Sequence, residues 1–314
     1  MNFGFSDDQL ALAATVRDVL RTHCPPGSLR AQRRPAWEQL AGLGFFGLLL
    51  PEAADGLGLA LVDVLPALEE TGRACLPGPV VETAVVAPSL LADVPKLGSG
   101  AVCVGVLPPG QAYAADADLA DLLVVVRDGG ARVISRPDVR LTPRRGVDPC
   151  RPLFEVGFSR SEPLRGPVGP ALARATVATA AQLVGVAREL LSVTVGYARV
   201  RTQFGAPIGS FQAVKHQLAD VAVAVEFAAP LVYRAALTVG SDSAERDASA
   251  AKAAAGEAAT LAARVALQVH GAIGYTEELD LRFWLARAWS LSAAYGTTAA
   301  HRERLRTAIT GRRP

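Results

Sequence analysis

From Ser6 onward, apolar residues return at helical spacing. In Gln9-Leu10-Ala11-Leu12-Ala13-Ala14-Thr15-Val16-Arg17-Asp18-Val19-Leu20 they recur on one face, with Ser6 placed as an N-cap ahead of Asp7 and Asp8, so an amphipathic helix is predicted. Pro25-Pro26-Gly27 ends it. A second helix is predicted around Trp37 to Leu43. After the loop Gly56-Leu57-Gly58, a third carries Asp63, Glu69 and Glu70 and stops near Gly72. Between Gly98 and about Gly166 the period shortens: Ala101 to Leu107, Leu122 to Val126, Arg132 to Ile134 and Leu153 to Val156 are short strands separated by Pro, Gly and Asp turns. From Pro170 to Arg312 the pattern is helical again and rich in Ala. Helices are predicted at Ala171 to Val200, Ser210 to Val239, Ala244 to Gly271 and Leu279 to Ile309, the last broken near Gly296. Long helices with short connections predict an antiparallel four-helix bundle, with Ala at the seams allowing close approach.

Composition agrees with this outline and narrows the function classes. The 314 residues allow two or three domains, and 20% charged residues argue against disorder. The net charge of +2 comes from 32 basic and 30 acidic residues spread along the chain, so no concentrated field for nucleic acid exists. Met1 to Asp8 lacks a signal-peptide pattern, and the apolar stretch Val221 to Gly240 contains Glu226 and Arg234, so a cytosolic protein is expected. Cys24, Cys75, Cys103 and Cys150 are dispersed, with no Cys-x-x-Cys pair, and are expected to be reduced, partly buried thiols rather than metal ligands.

Candidate chemistry sits in two runs, Arg201-Thr202-Gln203-Phe204-Gly205-Ala206-Pro207-Ile208-Gly209-Ser210-Phe211-Gln212 and Gln268-Val269-His270-Gly271-Ala272-Ile273-Gly274-Tyr275-Thr276. A dinucleotide cofactor needs its phosphates neutralised and its adenine sheltered. Arg201 closes a long helix and offers charge-assisted bonds to a pyrophosphate, Gln203 offers a directional amide and Phe204 an apolar wall. Gly271 and Gly274 permit close backbone approach, with Gln268 donating from the preceding helix. The plainer alternative is that Arg201 complements a helix C-terminus and Gly271 is an ordinary cap.

Both runs resemble the flavin-contacting signatures of acyl-CoA dehydrogenases, in the family's order and spacing. Leu43-Gly44-Phe45-Phe46-Gly47 through Pro51-Glu52, and Glu69-Glu70-Thr71-Gly72-Arg73, are similar to that family's N-terminal helical domain. The resemblance implies a mostly α fold with a small middle β-domain: an N-terminal helical domain over residues 1–97, a reduced β-domain over 98–167 and a C-terminal four-helix bundle over 168–314. It implies FAD as cofactor, with Arg201, Gln203, Phe204, Gln212, Gln268, Gly271, Ala272 and Thr297 as contacts. In the family the FAD so contacted lies mainly in the neighbouring subunit. His216 and His270 are expected to be structural or flavin-adjacent, and Glu277 and Glu278 to start a helix or meet an interface.

The same resemblance exposes a gap. Where the family usually reads Tyr-Glu-Gly-Thr, this chain reads Tyr295-Gly296-Thr297, so the catalytic Glu falls on Tyr295, and the alternative position used by some members falls at about Ala175. The reaction removes a weakly acidic α proton, which needs a carboxylate; a phenol, neutral near pH 7, accepts it poorly. Glu189 lies about four turns beyond Ala175, too far to substitute. The Thr-Glu-x-x-x-Gly-Ser-Asp-like and Trp-x-Thr-Asn-like stretches of the middle domain are also missing. This asymmetry is similar to dehydrogenases built from two unlike subunits in the breakdown of bulky acyl-CoAs. It implies a larger partner that supplies the Glu and holds the acyl-CoA, in a heterotetramer sharing FAD. Two other readings stay open: a self-sufficient enzyme using Asp280 or Glu278, or a flavin-free scaffold subunit.

Overall fold

The computed structural model describes residues 4–127 and 130–311. Helix α1 (Asp7–His23) opens with a reciprocal capping box: the Ser6 hydroxyl accepts from the Gln9 N–H at 3.3 Å, and the Gln9 amide oxygen accepts from the Ser6 N–H at 2.9 Å. Its buried face, Ala13, Val16 and Leu20, lies on α3 (Leu61–Arg73), and Gln9 to Asp63 and Arg17 to Glu70 tie the two together. Helix α2 (Trp37–Gly42) precedes the loop to α3. Beyond α3, a π-helical turn (Glu82–Val86) runs into the short α4 (Ala87–Leu90). The sequence pattern did not reveal this turn, because its residues are buried on every side and leave no periodicity.

The N-terminal helices join the bundle through one close crossing. Helix α5 (Val168–Val200) meets α3 where Gly72 faces Gly185. A Cβ on Gly72 would stand 2.1 Å from the Gln182 carbonyl oxygen, and one on Gly185 would stand 2.0 Å from that of Glu69. Backbone meets backbone here, so no rotamer change can relieve a methyl group. Gly185→Ala is therefore expected to destabilise the chain by about 1–3 kcal/mol, seen as a lower urea midpoint; an unchanged midpoint would show that the helices part freely. Around the crossing, Arg188 bonds Glu69 at 2.7 Å and Gln182 donates to Thr71 at 3.0 Å.

The middle segment forms two small sheets. One has the order β1-β3-β4-β7 (Val104–Leu107, Leu122–Arg127, Gly130–Ser135, Glu162–Leu164), with β1 parallel to β3 and the rest antiparallel. The other is antiparallel, in the order β2-β6-β5 (Ala114–Ala115, Leu153–Phe158, Val139–Arg144). Alternation explains the unbroken apolar run of β3: Leu123 and Val125 pack in a small cluster with Ile134 and Val156, while Val124 and Val126 join the main core.

Helices α6 (Gln212–Thr238) and α7 (Ala244–His270) complete most of the bundle, and α7 packs on both α5 and α6 through alanines such as Ala251, Ala255, Ala259 and Ala262. The fourth member is interrupted: α8 (Leu281–Ala293) and α9 (Thr298–Thr310) flank a bend in which Tyr295 has φ +55° and Gly296 φ +116°. Helix α6 is long and apolar enough to cross a membrane by length and composition. Here its Val221, Val225, Ala228 and Val232 face the bundle, while Val223, Phe227 and Leu231 form an outward apolar stripe. All four cysteines are buried, more completely than their sequence context suggested, and Cys24, Cys75 and Cys150 converge within electrostatic reach of Arg287. Burial pushes Cys24 and Cys150 up to about 11, so they are inert thiols at neutral pH.

Candidate functional site

The candidate residues fall in two places. At one end of the bundle, the connection from α5 to α6 folds as a hairpin of β8 (Thr202–Gln203) and β9 (Ala206–Pro207). Phe204 and Gly205 at its tip have φ +55° and +79°, the type I′ pattern. A phenylalanine in the left-handed region is strained, and its ring is 93% exposed, against the edge of Phe211. Arg201, Gln203 and Gln212 are exposed beside it.

Helices α5 and α7 finish at the same end, where Tyr197 stacks on His270 with ring centroids 4.2 Å apart. Gly271 then turns the chain with φ +65° and ψ −142°, a conformation open essentially to Gly alone, and leaves Gln268 and Ala272 exposed. His270 donates from Nδ1 to the Ala266 carbonyl at 2.7 Å, and burial lowers its pKa, so it is a packed, neutral side chain. The structure thus gathers Arg201, Gln203, Phe204, Gln212, Gln268, Gly271 and Ala272 around one end of the bundle. It gives them exposed donors, a cation and an unhindered turn, which fit the ADP half of FAD.

Thr297 is elsewhere. It is the N-cap of α9, accepting from the Ala300 N–H at 3.2 Å, and its neighbour Thr298 packs against Gly256 of α7. Fifteen residues of helix separate Gly256 from Gly271, about 22 Å. Thr297 therefore lies at a different place on the bundle from the others.

Beside Thr297, Tyr295 points into the protein. Its hydroxyl donates to Glu82 Oε1 at 2.9 Å, and burial together with that carboxylate raises its pKa well above the ordinary value. It stays protonated and is no base. The closed space that holds both partners, lined by Asp116, Arg151, Thr179, Gln182 and Arg287 among others, amounts to about 20 Å³, room for no acyl chain; Tyr295 also borders a pocket of about 270 Å³ with Leu172, Thr176, Ser249 and His301. Ala175 is fully buried, with its carbonyl accepting from Thr179, so the alternative position is equally closed. The other acids are engaged at a distance: Glu189 pairs with Arg73 at 3.3 Å, Asp280 with Arg30 at 2.7 Å and Glu277 with Arg282 at 2.6 Å. Glu82 was missed at the sequence level, although one carboxylate inside Val80-Val81-Glu82-Thr83-Ala84-Val85-Val86 was a signal worth following.

The bend is pinned from below. Lys252, with no exposed surface, donates to the carbonyls of Ser292 at 3.0 Å and Gly296 at 3.2 Å. The Tyr295 carbonyl can only accept, so His301 carries its proton on Nε2 and presents Nδ1 to the Ser249 hydroxyl. Burial holds His301 down to about 4 and Lys252 down to about 7. An unfolded Lys keeps its proton to about pH 10, so between pH 7 and that value the unfolded chain binds a proton the folded chain has shed. The contribution of Lys252 to stability therefore rises as pH climbs from 7. The cysteine thiols, raised in the folded state, act oppositely above about pH 9. Urea midpoints compared between pH 7 and 8.5 are expected to rise more steeply in the wild type than in Lys252→Met; parallel slopes would place the titration elsewhere.

An open cleft of about 660 Å³ separates the middle domain from α8, lined by Tyr113, Arg145, Arg151, Trp289 and Ala294 among others. Its inner side is latched: the Gln111 amide donates to the Ala293 carbonyl at 2.9 Å, and Arg151 reaches Ser290 at 3.3 Å.

Two family profiles match this chain, the acyl-CoA dehydrogenase N-terminal domain over residues 6–102 and the acyl-CoA dehydrogenase C-terminal domain over residues 169–310. The acyl-CoA dehydrogenase IpdE2 of Mycobacterium tuberculosis is 32% identical over 90% of this chain and 91% of its own length. IpdE2 of Mycolicibacterium smegmatis is 29% identical over 97% and 99%. Among solved structures, the Tcur3481-Tcur3483 steroid ACAD G363A variant is 25% identical, with a TM-score of 0.86 and coverage of 97% and 98%. The ChsE4-ChsE5 complex from Mycobacterium tuberculosis, 21% identical with a TM-score of 0.85 over the full length of both chains, shares the fold. The chain belongs to the acyl-CoA dehydrogenase family, and so to the oxidoreductases.

Proposed function

We propose that this chain is the smaller, base-lacking subunit of a heteromeric FAD-dependent acyl-CoA dehydrogenase. It holds the ADP half of an FAD whose flavin lies with a larger partner, and the partner supplies the catalytic Glu and the acyl-CoA pocket. The flavin is the acceptor of the β-carbon hydride; everything else assigned to this chain is binding and shape. One observation carries the reading: the base position is occupied by a tyrosine whose buried hydroxyl is spent on Glu82, while the exposed hairpin and Gly271 turn keep their cofactor-facing groups.

Three further points support a partner. Arg201 lies 19 residues along α5 from Gln182, which lines the Tyr295 cavity, or about 28 Å by helical rise, so the FAD contacts and this chain's own base position are separate places. Phe204, Phe227 at 76% exposure and Tyr275 at 78% leave apolar rings in water, as an uncovered interface does. Two of the similar proteins named above are solved as complexes of two unlike chains.

The test is the visible spectrum of the chain purified alone and after co-expression with a dehydrogenase-like chain encoded beside it. Flavin absorbance only in the co-purified complex supports the shared cofactor. Flavin bound to the isolated chain, with reduction by an acyl-CoA, favours a self-sufficient enzyme using the α8 cleft, and no flavin in any assembly favours a scaffold.

A further inference from the structure

A second cleft, of about 680 Å³, lies where α1 and α3 face the ends of α5 and α8. We propose that it binds a hydrophobic carboxylate, at a site that adjoins the FAD contacts through the Tyr197–His270 stack but includes none of them, and that lies apart from the Tyr295 bend. Its size is within the range of small-molecule sites, and like them it is mostly apolar with its few charges gathered together. Leu20, Val193, Leu281 and the buried face of Trp284 form the walls, and the Tyr197–His270 stack offers a flat aromatic side. The Trp284 indole N–H is already bonded to the Arg73 carbonyl at 2.8 Å, so the ring is fixed rather than free to swing into the space.

The charges choose the ligand's sign. Arg17, Arg21 and Arg73 meet there with three carboxylates, Glu70, Glu189 and Asp280, the last already paired with Arg30 at 2.7 Å. Arg17 takes Glu70 at 2.8 Å, which leaves Arg73 with Glu70 at 3.9 Å and Glu189 at 3.3 Å, and its buried Nε without a well-formed hydrogen bond. The Arg21 side chain is 80% exposed and, among the described residues, holds only Asp18, at 3.3 Å on the surface, a contact of little energetic weight. Burial raises the pKa of Glu189 despite the pull of Arg73, so this carboxylate is held at a cost. A ligand carboxylate lying between Arg21 and Arg73 would complete both guanidiniums, while its apolar body, the size of a fatty or polycyclic acid, fills the space toward Trp284 and Tyr197.

The experiment uses the full chain, alone and in its co-purified complex, with 11-(dansylamino)undecanoic acid and its methyl ester as probes. Saturable binding of the acid at one site per chain is expected, weakened at least tenfold by Val193→Trp, which fills the cleft. Arg21→Glu, on an exposed side chain that cannot unfold the protein, is expected to weaken the acid several-fold and leave the ester unchanged. Absence of saturable binding, equal binding of acid and ester, or acid binding indifferent to Arg21→Glu would each overturn the proposal. So would unchanged binding in a Val193→Trp protein with the native melting temperature.

Discussion

Arg287→Leu is expected to cost about 3–5 kcal/mol, a large part of the stability a domain ordinarily has. Arg287 and Asp148 are both buried; Nε donates to Asp148 Oδ2 at 2.5 Å and Nη1 to the Leu76 carbonyl at 2.8 Å, while Asp148 Oδ1 accepts from the Cys150 N–H at 2.9 Å. One guanidinium on α8 thus clamps the end of the middle domain and the chain leaving α3. Removing it strands a carboxylate that water cannot reach. It also withdraws a cation from Asp116, which burial has pushed up to about 7 against the pull of Arg151, Arg33 and Arg287. The double variant Asp148→Leu with Arg287→Leu is expected to cost less than Arg287→Leu alone, because it buries no unpaired charge. Urea unfolding of the wild type, both single variants and the double closes the cycle. A cost below about 1 kcal/mol for Arg287→Leu would mean that water enters with the leucine.

This clamp could not be read from the chain, and the reason is general to the molecule. What was legible is local or periodic: the Ser6 cap, the 3.6 period of α5 to α7, the alternation in β3, and the break at Gly296. Motif resemblance marked the Arg201–Gln212 connection, though not the hairpin it forms, and the Gly271 turn, which are also local. The buried polar groups are different in kind. Asp148 and Arg287 are 139 residues apart, Glu82 and Tyr295 are 213 apart, and no spacing rule relates them. Thr297 shows the converse, since a residue inside a recognised motif is carried away from the other motif residues by the length of one helix.

The substitution that bears most directly on function is Arg201→Ala. Among the described residues the Arg201 guanidinium makes no hydrogen bond or ion pair; only its backbone is used, the N–H donating to Tyr197 and the carbonyl accepting from Ile208. Truncation should therefore leave the melting temperature of the chain unchanged. In the co-purified complex the expected result is weaker FAD binding by about 10- to 100-fold, since a charge-assisted bond to a phosphate is worth about 1.5–3 kcal/mol. Arg201→Lys should recover part of this, keeping the charge but losing the fork that grips two oxygens. Flavin released on dilution, followed by absorbance, reads the affinity without any turnover. Unchanged flavin retention with a lowered melting temperature would reverse the assignment: Arg201 would then serve the C-terminus of α5, and the hairpin would be a surface turn rather than a cofactor clamp.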